Sequence, residues 1–246
     1  MCCFSAEIQS VTNTQIFARF GPGHMQHVVY AMSLDTRRSV AMILPLPVKD
    51  ADQPDALTFH NLEAHPHFFD QLAHAFHAPP LPGAKASVAA PMLPVEVVGA
   101  YEASFVPGIA DFARLSRRFR LPEKAWSRLP QYQDFSFAVF KLRRGRHDVH
   151  PMAFTFRARD RERLFFPTLH IHDGEAHEEA EFDHTLYCQG LRMGGKAWTE
   201  SAKIASQVIS ADLPGGLVAP DHHLHKLRLH GMLPNHDIAV PARRLA

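Results

Sequence analysis

Apolar and polar residues alternate with a period of two over the first 48 positions of the chain. That repeat buries one face of a β-strand. It predicts strands over Phe4 to Ile8, Gln15 to Phe20, His27 to Met32 and Val40 to Leu46. The turn formers Asn13-Thr14, Gly21-Pro22-Gly23 and Asp35-Thr36 separate them, and the expected arrangement is an antiparallel meander. From Asn61 the period lengthens. Leu62, Phe68, Phe69, Leu72, Ala73 and Phe76 fall near helical spacing and predict a helix over Pro66 to His77. Residues 79–94 carry Pro79, Pro80, Pro82, Pro91 and Pro94. They predict a surface loop, because proline removes backbone donors. A strand over Val95 to Val106 and a helix over Ile109 to Phe119 come next. Strands return at Phe135 to Leu142, Met152 to Phe156, Leu164 to His172, Phe182 to Cys188 and Leu224 to Leu229.

Strands at both ends with helices between them predict the α+β class. The expected architecture is a mostly antiparallel β-sheet with two or three helices clustered mid-chain, in a single domain over residues 1–246. With 46% hydrophobic and 21% charged residues, the chain has the composition of a globular protein. Its 26 basic residues balance 25 acidic ones, which weighs against nucleic acid or an anionic membrane as partner. The start Met1-Cys2-Cys3-Phe4-Ser5-Ala6-Glu7 lacks the basic and apolar regions of a signal peptide. The apolar run from Ala41 to Val48 is short and broken by Pro45 and Pro47. A cytoplasmic protein with no membrane contact is therefore expected. Three cysteines, two of them adjacent, form no disulfide framework.

The 18 histidines supply the main chemical signal. In Thr168-Leu169-His170-Ile171-His172-Asp173-Gly174, two imidazoles stand two residues apart and so project from one face of a strand. Asp173-Gly174 signals a turn. If Phe182 to Cys188 returned antiparallel with His184 opposite His172, three imidazoles and the Cys188 thiol would converge on one metal ion. His177 is a further candidate ligand, and Asp173 and Asp183 stand ready to orient the rings. This set predicts one divalent transition metal, zinc first, with copper or iron as alternatives. The matching activity is metal-dependent hydrolysis of a small-molecule or peptide substrate by bound water.

Cys2 predicts a different chemistry. Removal of Met1 would free an α-amino group to serve as base for the Cys2 thiol, the design of an N-terminal nucleophile. Cys2 together with Arg19 is similar to choloylglycine-hydrolase-type amidases, although Pro22 stands where that family carries an acidic residue. A third reading is a non-catalytic metal-binding or interaction protein. Met1-Cys2-Cys3-Phe4-Ser5, the 41–48 run, His150-Pro151-Met152-Ala153-Phe154 and Phe165 to Gly174 together resemble a bacterial protein family with no assigned activity. That resemblance implies one integrated domain.

Overall fold

The computed structural model describes residues 3–77, 101–121, 123–190 and 197–241. The structure is mostly β, with antiparallel pairing and few helices. In chain order the strands are β1 (Cys3–Phe4), β2 (Ser10–Phe20), β3 (Met25–Thr36), β4 (Val40–Leu46), β5 (Leu57–His60), β6 (Glu102–Val106) and β7 (Ser136–Leu142). They continue with β8 (Gly145–Arg157), β9 (Arg163–Phe166), β10 (Glu179–Gln189), β11 (Thr199–Ile204), β12 (His223–Pro234) and β13 (Ile238–Pro241). Helices α1 (Phe68–His74) and α2 (Glu123–Ser127) are both short.

Two sheets carry the fold. The smaller has the order β1-β4-β7-β6 and the larger β11-β12-β10-β2-β3-β8-β5, with β13 and β9 forming a separate pair. Strand β4 is buried along its whole length because it has a core on each side. Val40, Met42, Leu44 and Leu46 point into the cluster between the sheets, where they meet Ile16, Tyr30, Met32, Phe154 and Leu186. Ala41 and Ile43 point the other way, onto Phe112, Trp126, Phe137 and Leu169. The outer face of the larger sheet is covered as well. Phe17, Val29, Ala153 and Tyr187 pack there against Phe68, Phe69 and Leu72 of α1 and against Leu217.

The expected meander stops after β3. Strand β3 pairs with β2 and β8, while β4 leaves for the other sheet and pairs with β1 and β7. Asn13 is not a turn between strands. It sits inside β2 with φ at 50°, where the pairing to β3 shifts register between Thr12 and Gln15, as in a bulge. In place of the expected helix over 109–119 lie two 3-10 turns, Ile109–Arg114 and Arg117–Phe119. Only Phe112 and Phe119 are buried there, too few for the continuous apolar stripe of an α-helix. The loop expected over residues 79–94 lies outside the described residues, as does the first part of the strand expected from Val95. No helix among the described residues is long and apolar enough to cross a membrane.

Candidate functional site

The histidine hairpin does not form. Strand β10 pairs antiparallel with β12 and parallel with β2, so His184 lies beside Leu229 and Thr14. The other arm ends its strand at Phe166 and pairs with β13, leaving His170 and His172 on an irregular segment. The three imidazoles meet nonetheless. His170 stacks on His172 with ring centroids 5.3 Å apart and planes 13° from parallel, and on His184 at 5.1 Å and 17°. Phe182 closes on His170 at 4.3 Å, and Phe4 lies 5.8 Å from His172.

Near-parallel rings aim their in-plane nitrogen lone pairs side by side. A tetrahedral metal requires those lone pairs to converge. Among the described residues no group of three or more His, Cys, Asp or Glu is placed to hold a metal ion. The zinc-dependent hydrolase expected from His170, His172, His184, Cys188 and His177 is thereby corrected. Cys188 lies four residues beyond His184 along β10, about 13 Å at strand rise. It is buried between the sheets, and that burial pushes its thiol well above the usual range. His177 is exposed, with its Nε2 2.8 Å from Asp173 Oδ2. Asp173 also caps its own turn by accepting the Glu175 N–H, so it orients no ring of the stack. Asp183 points to the face of β10 opposite His184, where it accepts the Asn13 N–H and lies 3.5 Å from Arg228.

Burial keeps the stacked imidazoles neutral. It lowers His172 to about 4, and it lowers His170 and His184 further, with the neighbouring rings adding repulsion between positive charges. The segment under them is held by Asn235 and Asp237, which follow the end of β12. Asp237 Oδ1 accepts the backbone N–H groups of Thr168 and Leu169 at 2.6 and 2.8 Å. Asn235 Oδ1 accepts the His170 N–H at 2.7 Å, and its amide donates to the carbonyls of His170 and His177. Burial raises the Asp237 carboxyl to about 6 against these donors. Sequence reasoning missed this clamp. Its one trace is a polar Asn235-His236-Asp237 run after an apolar strand, which reads as an ordinary turn.

A second polar cluster lies at the end of β2. Thr155 Oγ1 is 2.7 Å from both His27 Nδ1 and His60 Nε2, and burial lowers His27 to about 4. Arg19 donates to the carbonyls of Phe20, Gly216 and Leu217, which ties the 214–217 turn to the larger sheet. Each of its three guanidinium nitrogens thus serves as a structural tie. Cys2, the other half of the amidase likeness, lies outside the described residues. Cys3 beside it is fully buried, and its backbone bridges Ile171.

Two sheets with a covered face on each side, and polar clusters that fix loops to them, define a β scaffold held by packing. No family model matches the chain, and no curated protein matches it. Among solved structures it is similar to baculovirus P35. The crystal structure of that protein is 12% identical, with a TM-score of 0.54, over 99% of this chain and 100% of that one. A mutated baculovirus P35 after caspase cleavage matches with a TM-score of 0.50 at 11% identity, over 94% of this chain and 99% of that one. At these identities the likeness shows a shared fold, and it runs from end to end of both chains.

Proposed function

We propose that this chain is a protein-binding scaffold that engages a protease. The observation that supports this is the end-to-end likeness to P35, a protein seen after caspase cleavage. The chemistry of the described residues agrees with a binding role. The stacked imidazoles are neutral and packed, Cys3 and Cys188 are buried, and Thr155, whose hydroxyl lies between two imidazoles, is only 6% exposed. A nucleophile needs access to its substrate. A scaffold needs only a rigid core to present its surface.

The experiment is to incubate the purified chain in molar excess with a panel of cysteine and serine proteases that includes caspases. Residual activity on fluorogenic peptides and the intact mass of the chain are read together. The expected result is stoichiometric loss of activity for at least one protease, with the chain recovered in a complex or cut at a single bond. Full activity of every protease in the panel, with the chain left whole or digested at many sites, would overturn the proposal.

A further inference from the structure

Strand β12 is paired on both sides only at its beginning. β10 follows it from Leu224 to Pro234, while β11 covers it only as far as Lys226. Among the described residues, the outer edge of 227–234 therefore has no strand beside it. The direction of its backbone groups follows from Leu224, whose N–H points to Ser201 Oγ on the β11 side. The register to β10 runs without a shift, so alternation aims the N–H and C=O groups of Arg228, His230 and Met232 outward at this open edge. Exposed edges of this kind are templates for another strand, and proteins usually blunt them.

The side chains on the edge show which strand fits. Met232 is 61% exposed, and it is the one large apolar side chain in that state among the described residues. On the same outer face, Arg228 and His230 stand beside Thr185 and Asp183 of β10, and Met232 and Pro234 beside Glu181 and Glu179. Three carboxylates on β10 thus lie inside an outer row whose polar members are Arg228, 3.5 Å from Asp183, and His230. On the opposite face Leu227 and Leu229 reach the core between the sheets and are partly buried. A strand added outside β12 would extend that apolar face with one set of side chains and meet Arg228 and His230 with the other. Opposite charges across a strand pair stabilise it and like charges destabilise it.

We infer that the 227–234 edge of β12 is a β-augmentation site for an extended partner segment in which apolar and acidic residues alternate. It is separate from the protease reading above and does not depend on it. The probes are two fluorescein-labelled octapeptides, one alternating valine with glutamate and the other valine with lysine. Fluorescence anisotropy gives their affinity, and hydrogen exchange follows the amides of Arg228, His230 and Met232. The glutamate peptide should saturate and protect those amides, and the lysine peptide should bind about tenfold more weakly. Arg228→Glu should reverse the preference. His230→Pro removes one outward N–H and leaves the bonds to β10 from the intervening residues in place, so it should abolish binding with the melting temperature retained. Equal binding of both peptides, or binding of neither, overturns the inference. So does a dimer in sedimentation equilibrium that His230→Pro dissociates, because the edge would then belong to a second copy of the chain.

Discussion

His170 and His184 stack with centroids 5.1 Å apart and planes 17° from parallel, one on an irregular segment and the other within β10. Their contact makes acid the natural denaturant of this protein. In the unfolded chain an imidazole titrates near 6.5. In the fold, burial holds His27 and His172 down at about 4, and His170 and His184 lower still. Between those values the unfolded state binds more protons, so stability present at neutral pH is lost as pH falls from about 6.5 toward 4. Each such histidine contributes a slope of about 1.4 kcal/mol per pH unit within its window. Asp237, raised to about 6 from an ordinary 3.8, works in the opposite sense and offsets part of the loss between those two values. Urea midpoints at pH 7.5, 6.5, 5.5 and 4.5 should fall steadily; a flat profile would contradict the buried neutral stack.

Asp237 should be among the most sensitive positions outside the hydrophobic core. Asp237→Ala leaves the N–H groups of Thr168 and Leu169 without their acceptor, and a buried donor left unpaired costs about 1–3 kcal/mol. Asp237→Asn keeps one acceptor oxygen and should cost less. Denaturant unfolding of both variants checks the order. A milder effect for alanine than for asparagine would mean that the clamp is not what holds the segment.

Gly21 is fixed by its neighbour. A Cβ at that position would stand 2.3 Å from His27 Nε2. Gly21→Ala should push the ring off Thr155 and destabilise the fold by about 1–3 kcal/mol, the usual range for overpacking. The same substitution at Gly23, where nothing lies within 4 Å, meets a positive φ of 64° but no clash. Thermal melts should therefore rank Gly21→Ala as the more damaging of the two.

Both described thiols should resist reagents. Cys3 and Cys188 are fully buried, and burial raises the Cys188 pKa far from neutrality. The reactive thiolate is scarce under those conditions. Iodoacetamide at pH 7.5 should leave both unmodified in the native protein and label both in urea, as read by peptide mass mapping. Rapid native labelling of Cys188 would mean that the sheets part readily.

Local pattern made the strands legible where burial is strict. The run from Val40 to Leu46 matches β4 residue for residue, because a strand with a core on each face is a continuous apolar stretch. Helix α1 also follows its pattern, since Phe68, Phe69 and Leu72 are the residues it buries. Strands β5 and β13, four residues each, are too short to show a period. The histidine cluster was half legible. The sequence brought His170, His172 and His184 together, but through a hairpin that does not exist. Spacing within a segment says which face a side chain takes, and it says nothing about which distant strand lies alongside. β10 has its partners in β2 and β12, and the residues that hold the cluster, Asn235 and Asp237, come from beyond the last long strand.

The parallel pairing of β10 with β2 also sets a schedule for biosynthesis. Asn13 and Asp183 touch across 170 residues of chain, and β12 must then dock on β10 from further downstream. The N-terminal strands emerge from a ribosome long before these neighbours exist, and non-local pairing of this kind is slow even in a finished chain. Until Gln189 has emerged β2 has one open edge, and until Pro234 has emerged β10 has one. A nascent chain stalled before that point should be held by chaperones and cut readily by proteases, and one stalled well beyond it should not.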